Sequence, residues 1–152
     1  MAHEVQVTTD IDAPAATVWA MVADLPRMAE WSPENEGVTW RKGATATVPG
    51  ASFRGTNRNG AKSWSTSGTV VESVPGRVLS FRVTAVGMRV SLWSYRFEEI
   101  GTGCRVTESW VDERNPLVRA ISTPISGVGD RTTHNRQGME LTLARLKAAA
   151  ES

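Results

Sequence analysis

One carboxylate in this sequence is predicted to point into the protein, where it could do chemistry. Residues 104–110 alternate in polarity like a half-buried strand, and Glu108 falls on the same face as Cys104, Val106 and Trp110. A carboxylate there is costly unless it is hydrogen-bonded, paired or held in a wet cavity. Burial raises its pKa, which suits a general acid or base. A structural glutamate at the open strand end, or one paired with an arginine, would give the same pattern.

Aromatic and polar side chains of other strands are expected to face the same interior. Alternation directs Trp93 and Tyr95 inward from the preceding strand, and Asn57 inward from an earlier one, because Arg54 and Arg58 favour water. An apolar, aromatic pocket with a few convergent polar groups is typical of small-molecule sites. The candidate ligand contacts on the strands are Phe53, Asn57, Trp64, Phe81, Trp93, Tyr95, Glu108 and Trp110.

Two of these assignments depend on register and packing. Trp64 faces inward only if Gly68 does not mark a β-bulge that shifts its strand. Phe81 is expected inside, with Ser80 and Arg82 on the outer face. Each tryptophan could equally be an ordinary core residue, since large aromatic side chains dominate protein cores.

Several other chemistries find no support in the residues. His3 is expected in an N-terminal tail, and His134 on a helix face away from Met139 and Leu143, at an exposed or rim position. Without an inward histidine there is no Ser-His-Asp or Cys-His arrangement, and no metal cluster at ligand spacing. Cys104 is interpreted as a small buried hydrophobe. No glycine-rich phosphate loop occurs, so no cofactor is predicted.

Composition narrows the class of protein. The chain has 152 residues and is predicted to form one domain, 1–152. A net charge of +1 with interspersed signs gives no case for a nucleic-acid or membrane partner. The single cysteine suits a reducing compartment, and no apolar run is long enough for a membrane span or signal peptide. We therefore expect a cytoplasmic protein.

The chain is predicted to begin with a strand and short helical structure. Val5 and Val7 belong to an alternating run that ends at Ile11. Pro14 opens a helix, with a residue just before it as the cap, and Pro26 is expected to stop regular structure. With the turn that follows, this predicts two short helices after the first strand.

Residues 37–111 are predicted to form an antiparallel meander. Strand-like runs cover residues 37–41, 53–58, 62–74, 78–86, 90–99 and 105–111. Asn59-Gly60 is a strong hairpin signal, and Pro75-Gly76 marks another turn. With the first strand, about seven strands with short connections indicate an α+β fold.

The C-terminal helix is predicted to leave the core and pass over a cavity. It runs from about Asp130 to Ala150, and its buried face carries Met139 and Leu143. Projected backward, the same face carries Asn135 and Thr132, so its apolar character fades. Solvent exposure of the early turns would explain this equally well.

The segment before that helix has an apolar stripe and two helix breakers. Leu117, Ile121 and Ile125 recur at fourfold spacing, and Pro124 and Gly127 interrupt the pattern. The segment is interpreted as a mobile lid at the mouth of a cavity, with docking to a partner protein as the alternative.

The order of these elements resembles the helix-grip fold of the START/Bet v 1-like superfamily, and most of all its bacterial polyketide cyclase/dehydrase-like (SRPBCC) proteins. The motifs that carry the resemblance lie at residues 11–14, 18–19, 31–33, 53–57, 74–77, 93–97, 103–109 and 138–146. The resemblance implies a curved sheet around the long C-terminal helix, with a ligand cavity between them. Asn135 and Met139 of that helix would complete its lining.

Two functions remain open at this point. The first is binding of a hydrophobic or aromatic small molecule, such as a lipid, polyketide or isoprenoid. The second is a polyketide cyclase or dehydratase in which Glu108 and Tyr95 transfer protons. The lack of an obvious acid–base pair favours binding, by a monomer or homodimer.

Overall fold

Seven antiparallel strands form one curved sheet in residues 4–152, the part of the chain that the computed structural model describes. The strands are β1 (Glu4–Ile11), β2 (Asn35–Arg41), β3 (Ser52–Asn59), β4 (Lys62–Val74), β5 (Val78–Ala85), β6 (Met88–Ile100) and β7 (Gly103–Asp112). Their order in space is β1-β7-β6-β5-β4-β3-β2, so β2 to β7 form a meander and β1 pairs with β7. The predicted α+β class and meander are confirmed. His3 lies outside the described residues.

The described chain adds three α-helices and one 3-10 helix. They are α1 (Ala15–Ala23), the 3-10 helix (Leu25–Glu30), α2 (Pro116–Ser126) and α3 (Arg131–Ala150). Pro14 occupies the N-cap position itself, where its carbonyl accepts from the backbone N–H groups of Thr17 and Val18. Pro26 lies in the first turn of the 3-10 helix. The expectation that Pro26 stops regular structure is wrong, because proline fits a first turn that needs no N–H donor.

Helix α3 supplies the C-terminal part of the core. It packs mainly against β1 and also contacts β7. Its buried face carries Met139, Leu143 and Leu146, and Asp130 caps it by accepting a hydrogen bond from the Thr133 backbone N–H at 3.1 Å. Among the described residues, no helix is both long enough and apolar enough to cross a membrane.

Gly68 does not mark a bulge. It pairs directly with Phe53 on β3, and a Cβ at Gly68 would lie 2.1 Å from Cζ of the Phe53 ring. The register shift of β4 lies instead between Val70 and Glu72, opposite β5. Glycine is needed at this position because an aromatic ring covers the backbone. The register of β4 before Gly68 is therefore regular, and Trp64 pairs with Asn57.

The expected interruption of the segment before α3 is corrected by the structure. Helix α2 continues through Pro124 and ends at Ser126, with Gly127 as the C-cap at a φ of 73°. Pro124 therefore lies inside the helix instead of interrupting it, and the left-handed glycine forms its end.

Replacement of Gly68 by alanine should destabilise the fold. The new methyl group would overlap the Phe53 ring, and overpacking of this kind costs about 1–3 kcal/mol. Gly37→Ala on β2 is the matched control, because its Cβ would meet only Thr56 Oγ1 at 3.6 Å. Urea unfolding of both variants measures the difference; equal stability would show that the ring moves aside without cost.

Candidate functional site

A cavity of about 370 Å³ lies between the sheet, α2 and α3. This volume lies in the range of small-molecule sites. Strands β2 to β7 contribute to the wall, together with α2, α3 and the loop before β2. Most of the side chains that line it are aromatic or aliphatic, including Val38, Val83, Met88, Val90, Val118, Ile121 and Ile125.

The ten side chains proposed from the sequence as ligand contacts all line this one cavity. They are Phe53, Asn57, Trp64, Phe81, Trp93, Tyr95, Glu108, Trp110, Asn135 and Met139. Eight of them lie on strands, and Asn135 and Met139 lie on α3. Because Asn135 belongs to the early turns of α3, those turns pass over the cavity. Whether these residues contact a ligand stays a prediction.

Glu108 and Tyr95 form the most deeply buried polar pair of the cavity wall. They face each other across β6 and β7, and the Tyr95 hydroxyl donates a hydrogen bond of 2.8 Å to Glu108 Oε2. Glu108 is only 2 % exposed. Its second oxygen, Oε1, is buried without a hydrogen-bond partner among residues 4–152. A buried acceptor without a partner is rare, because its desolvation is uncompensated.

Burial makes the Glu108 carboxyl a weaker acid than an ordinary glutamate. It raises the pKa of Glu108 to about 8, although the hydrogen bond from Tyr95 acts in the opposite direction. Burial also raises the pKa of the Tyr95 phenol well above its usual range, and the neighbouring Glu108 adds to this effect. Within the described residues no basic side chain forms an ion pair with Glu108. At neutral pH both groups are therefore protonated.

The aromatic side chains are held by contacts with each other and with polar neighbours. Phe53 packs edge-to-face against Phe81, with ring centroids 5.5 Å apart. Trp93 donates its indole N–H to Ser91 Oγ at 3.0 Å. The guanidinium of Arg131 lies 5.9 Å from the centroid of the Trp64 ring. These contacts fix the ring planes of the cavity wall before any ligand arrives.

A second polar cluster, at the mouth of the cavity, was missed by the sequence analysis. Arg131 Nη1 donates to both carboxylate oxygens of Glu34, at 2.9 and 3.0 Å, and to Asn135 Oδ1 at 3.3 Å. His134 Nε2 lies 2.8 Å from Glu34 Oε2 and is partly exposed, in keeping with a rim position. Glu34 is about one hundred residues away in sequence and in no periodic element, so no pattern could have paired it.

A buried ion pair attaches α2 to the end of β7. The Arg114 guanidinium donates to both oxygens of Asp112, at 2.9 and 2.8 Å, and to Ser122 Oγ of α2 at 2.6 Å. Burial raises the pKa of Asp112, but the hydrogen bonds from Arg114 outweigh it and hold that pKa below its usual value. Asp112 continues the inward alternation of Glu108 and Trp110, the one sequence signal that could have found it.

Metal binding and cysteine chemistry find little support in the described chain. No group of His, Cys, Asp and Glu side chains in residues 4–152 is arranged to hold a metal ion. Cys104 is fully buried, and burial raises the pKa of its thiol, so it is a poor nucleophile.

The family model described as polyketide cyclase / dehydrase and lipid transport matches residues 2–151. The chain belongs to this family, and the resemblance stated from its sequence motifs is confirmed. No protein of curated function matches the chain in sequence.

The fold is shared with solved structures of low sequence identity. Ginseng major latex-like protein 151 from Panax ginseng has a TM-score of 0.74 at 12 % identity, with 99 % of each chain covered. A protein from Deinococcus radiodurans has a TM-score of 0.70 at 17 % identity, with 98 % of each chain covered. BexL, a di-domain ARO/CYC from the BE-7585A biosynthetic pathway, has a TM-score of 0.73 at 21 % identity. The match covers 99 % of this chain and 50 % of BexL, and such identities show the fold alone.

Glu108→Gln should change how stability depends on pH. Between about pH 4.5 and pH 8 the unfolded chain loses the Glu108 proton while the folded chain keeps it. The free energy of unfolding of the wild type should therefore fall with rising pH relative to the variant, by a few kcal/mol in all. Urea unfolding from pH 4 to 9 measures the difference, with the exposed Glu98→Gln as control. A constant difference between wild type and Glu108→Gln would mean that Glu108 is ionised in the fold.

Arg114→Met should be far more destabilising than Arg119→Met. Both arginines contact Asp112, but the Arg114 side chain is 8 % exposed and that of Arg119 is 45 % exposed. Loss of Arg114 leaves a buried charge, at a cost of about 3–5 kcal/mol, whereas an exposed partner contributes about 0–1 kcal/mol. The lowered pKa of Asp112 means that the Arg114 contribution is present at neutral pH and shrinks in acid. Thermal unfolding at pH 7 and pH 3 tests both points; equal losses for the two variants would contradict them.

Proposed function

We propose that this protein binds a hydrophobic or aromatic small molecule in the cavity between the sheet, α2 and α3. The observation that carries the proposal is the composition of the wall. Three indole rings, of Trp64, Trp93 and Trp110, line one cavity together with Phe53 and Phe81. A purely structural core would fill such a space at the density of a crystal, because empty volume forfeits dispersion contacts.

The distribution of polar groups supports a small amphipathic molecule over a plain hydrocarbon. Glu108 and Tyr95 are fully buried, whereas Glu34 and His134 lie at the partly exposed mouth. A ligand could thus meet polar groups at its inner and outer ends and apolar surface between them. A lipid, a polyketide and an isoprenoid all have this character. The description of the family, which includes polyketide cyclases and lipid transport, is compatible with each of them.

Catalysis is the second candidate, and one observation favours it. The Glu108 carboxyl has a pKa of about 8 and a hydrogen bond from the Tyr95 hydroxyl. A proton donor with a pKa near the working pH is suited to general acid catalysis. In a cyclase or dehydratase, Glu108 would give its proton to a substrate oxygen and Tyr95 would stabilise the carboxylate left behind. Glu108→Gln would then abolish turnover and leave affinity largely intact.

We propose that α2 acts as a lid over the cavity. Ile121 and Ile125 line the cavity yet remain partly exposed, and Leu117 is exposed on the same helix. The helix is attached at its C-terminal end to the β3–β4 turn, where Asn59 Nδ2 donates to the Ser126 carbonyl at 2.9 Å and Lys62 Nζ to the Pro124 carbonyl at 2.9 Å. Val118 is the one apolar side chain of α2 that is buried, so local opening would break the hydrogen bond from Arg114 to Ser122 but expose little further apolar surface.

The wider setting is proposed from the sequence. We propose a cytoplasmic protein that acts as a monomer or homodimer, with the small molecule as its partner and no nucleic acid. The single buried Cys104 and the balanced charge support this setting.

A blocked cavity should lose its ligand. Thr66 faces the cavity from β4 with Gly55 opposite it, so Thr66→Trp should occupy ligand space. Ser67→Trp places the same ring on the exposed face of the same strand and is the control. Native mass spectrometry of freshly purified protein, followed by denaturation, should release a co-purified molecule from the wild type and Ser67→Trp only. A molecule that remains bound to folded Thr66→Trp would show that it lies elsewhere. An empty wild type, with no change in melting temperature across lipids and polyketides, would favour a collapsed cavity.

Ligand binding should slow hydrogen exchange across residues 117–128. A closed lid protects the amides of α2, because opening exposes them to water. Hydrogen-exchange mass spectrometry with and without the molecule released above measures the effect, and the amides of β1 provide an internal control. Unchanged exchange in α2 on binding would count against a lid.

A further inference from the structure

We propose that the inner end of the cavity selects an uncharged ligand with a carbonyl group, which accepts a hydrogen bond from the Glu108 carboxyl. The proposal deepens the proposed function and rests on it. It assigns Glu108 a role in specificity, as a neutral hydrogen-bond donor, that a structural glutamate would not have and that needs no proton transfer.

One carboxyl oxygen of Glu108 is unpaired in the described chain. Oε1 is buried and has no hydrogen-bond partner within residues 4–152, while Glu108 itself lines the cavity. An unpaired buried polar atom loses its hydration without compensation. A ligand atom in the cavity is the partner that could restore the missing hydrogen bond.

The proposal places the carboxyl proton on Oε1. The Tyr95 hydroxyl lies 2.8 Å from Oε2 and is assigned as the donor of that hydrogen bond. With Oε2 as the acceptor, the proton of a neutral carboxyl group lies on Oε1, which is then a donor. The ligand atom that pairs with Oε1 must therefore be an acceptor, and a ketone or quinone oxygen satisfies this without a charge of its own.

The charged groups around the cavity are already paired with one another. Arg131 and His134 contact Glu34 at the mouth, and Arg114 contacts Asp112 at the end of β7. In the described chain, Tyr95 is the one titratable group in hydrogen-bond contact with Glu108. Ionisation of Glu108 would thus place an uncompensated charge in an apolar space, and the raised pKa of Glu108 agrees with this. A carboxylate ligand would lose its hydration in this apolar space without gaining a counter-ion, and a neutral acceptor would not carry that cost.

A pair of tricyclic probes of nearly equal shape tests the proposal. Fluorenone carries a carbonyl oxygen where fluorene has a methylene group. At pH 7 the wild type should bind fluorenone at least tenfold more tightly than fluorene, because a site that donates a hydrogen bond disfavours the analogue without an acceptor. Glu108→Gln should keep the preference, since its amide presents an N–H at the place of the Oε1 proton. Glu108→Leu should abolish it. Calorimetry or equilibrium dialysis gives the affinities.

Charge provides the second arm of the experiment. The wild-type preference for fluorenone should disappear as the pH rises through about 8, while that of Glu108→Gln persists. Tyr95 is the titratable group that contacts Glu108, so its contribution to the pH dependence is tested separately. Tyr95→Phe removes the hydrogen bond to Oε2 and should keep a preference for fluorenone. If Glu108→Leu does not fold, the contrast between wild type and Glu108→Gln at pH 9 takes its place.

The outcomes separate this inference from the proposed function. Equal binding of both probes by the wild type would overturn the inference and leave small-molecule binding in place. Preference for the cation of 9-aminofluorene over both would show an ionised Glu108 and also overturn it. Failure of every probe to bind, with no co-purified molecule in the wild type, would overturn the proposed function and the inference together.

Discussion

The organisation of the site depends on one buried carboxyl group, that of Glu108, which has no counter-ion in the described part of the chain. Glu108 is surrounded by a wall of aromatic and aliphatic side chains, and within residues 4–152 its single hydrogen-bond donor is the hydroxyl of Tyr95. Such a group is tolerated only in its neutral form, because an ion in this environment would lose its hydration without a partner. The raised pKa of Glu108 therefore corresponds to a neutral carboxyl inside an apolar cavity, while Arg114 and Arg131 near the cavity are paired with other carboxylates.

The architecture explains how this arrangement is maintained. The pairing of β6 with β7 places Tyr95 directly across from Glu108, and β1 covers the other edge of β7 with Val7 opposite Glu108. The two halves of helix α3 have different surroundings. Its C-terminal half buries Leu143 and Leu146 in the core, and its N-terminal half brings Asn135 and its polar neighbours to the cavity. The low amphipathicity of this helix thus reflects its passage from core to cavity.

The sequence predicted the fold and the inner wall because both follow from local periodicity. Strict alternation along β6 and β7 identified Tyr95 and Glu108 as inward-facing, and the hairpin glycines defined the meander. Family motifs then supplied the arrangement of sheet and helix. Phe53 and its covered Gly68 show where this approach fails, because a ring that lies over a glycine looks the same in sequence as a bulge.

The mouth of the cavity could not be predicted for a related reason. Glu34 lies in a loop, and only tertiary structure brings it to Arg131 and His134. The role of Arg114 depends likewise on Ser122 of α2, a helix whose internal Pro124 suggested a break. Contacts between elements carry no periodic signal, whereas contacts within a strand face do.

The protonation state of Glu108 is the quantity to measure first. Carbon-13 NMR of protein labelled at the glutamate side-chain carboxyls, assigned with Glu108→Gln, reports it directly across a pH titration. A Glu108 signal that stays in the protonated position through pH 7 and titrates near pH 8 would establish a neutral donor in the cavity. A signal that titrates near pH 4.5, the usual value for a glutamate, would show an ionised carboxylate at neutral pH and contradict it.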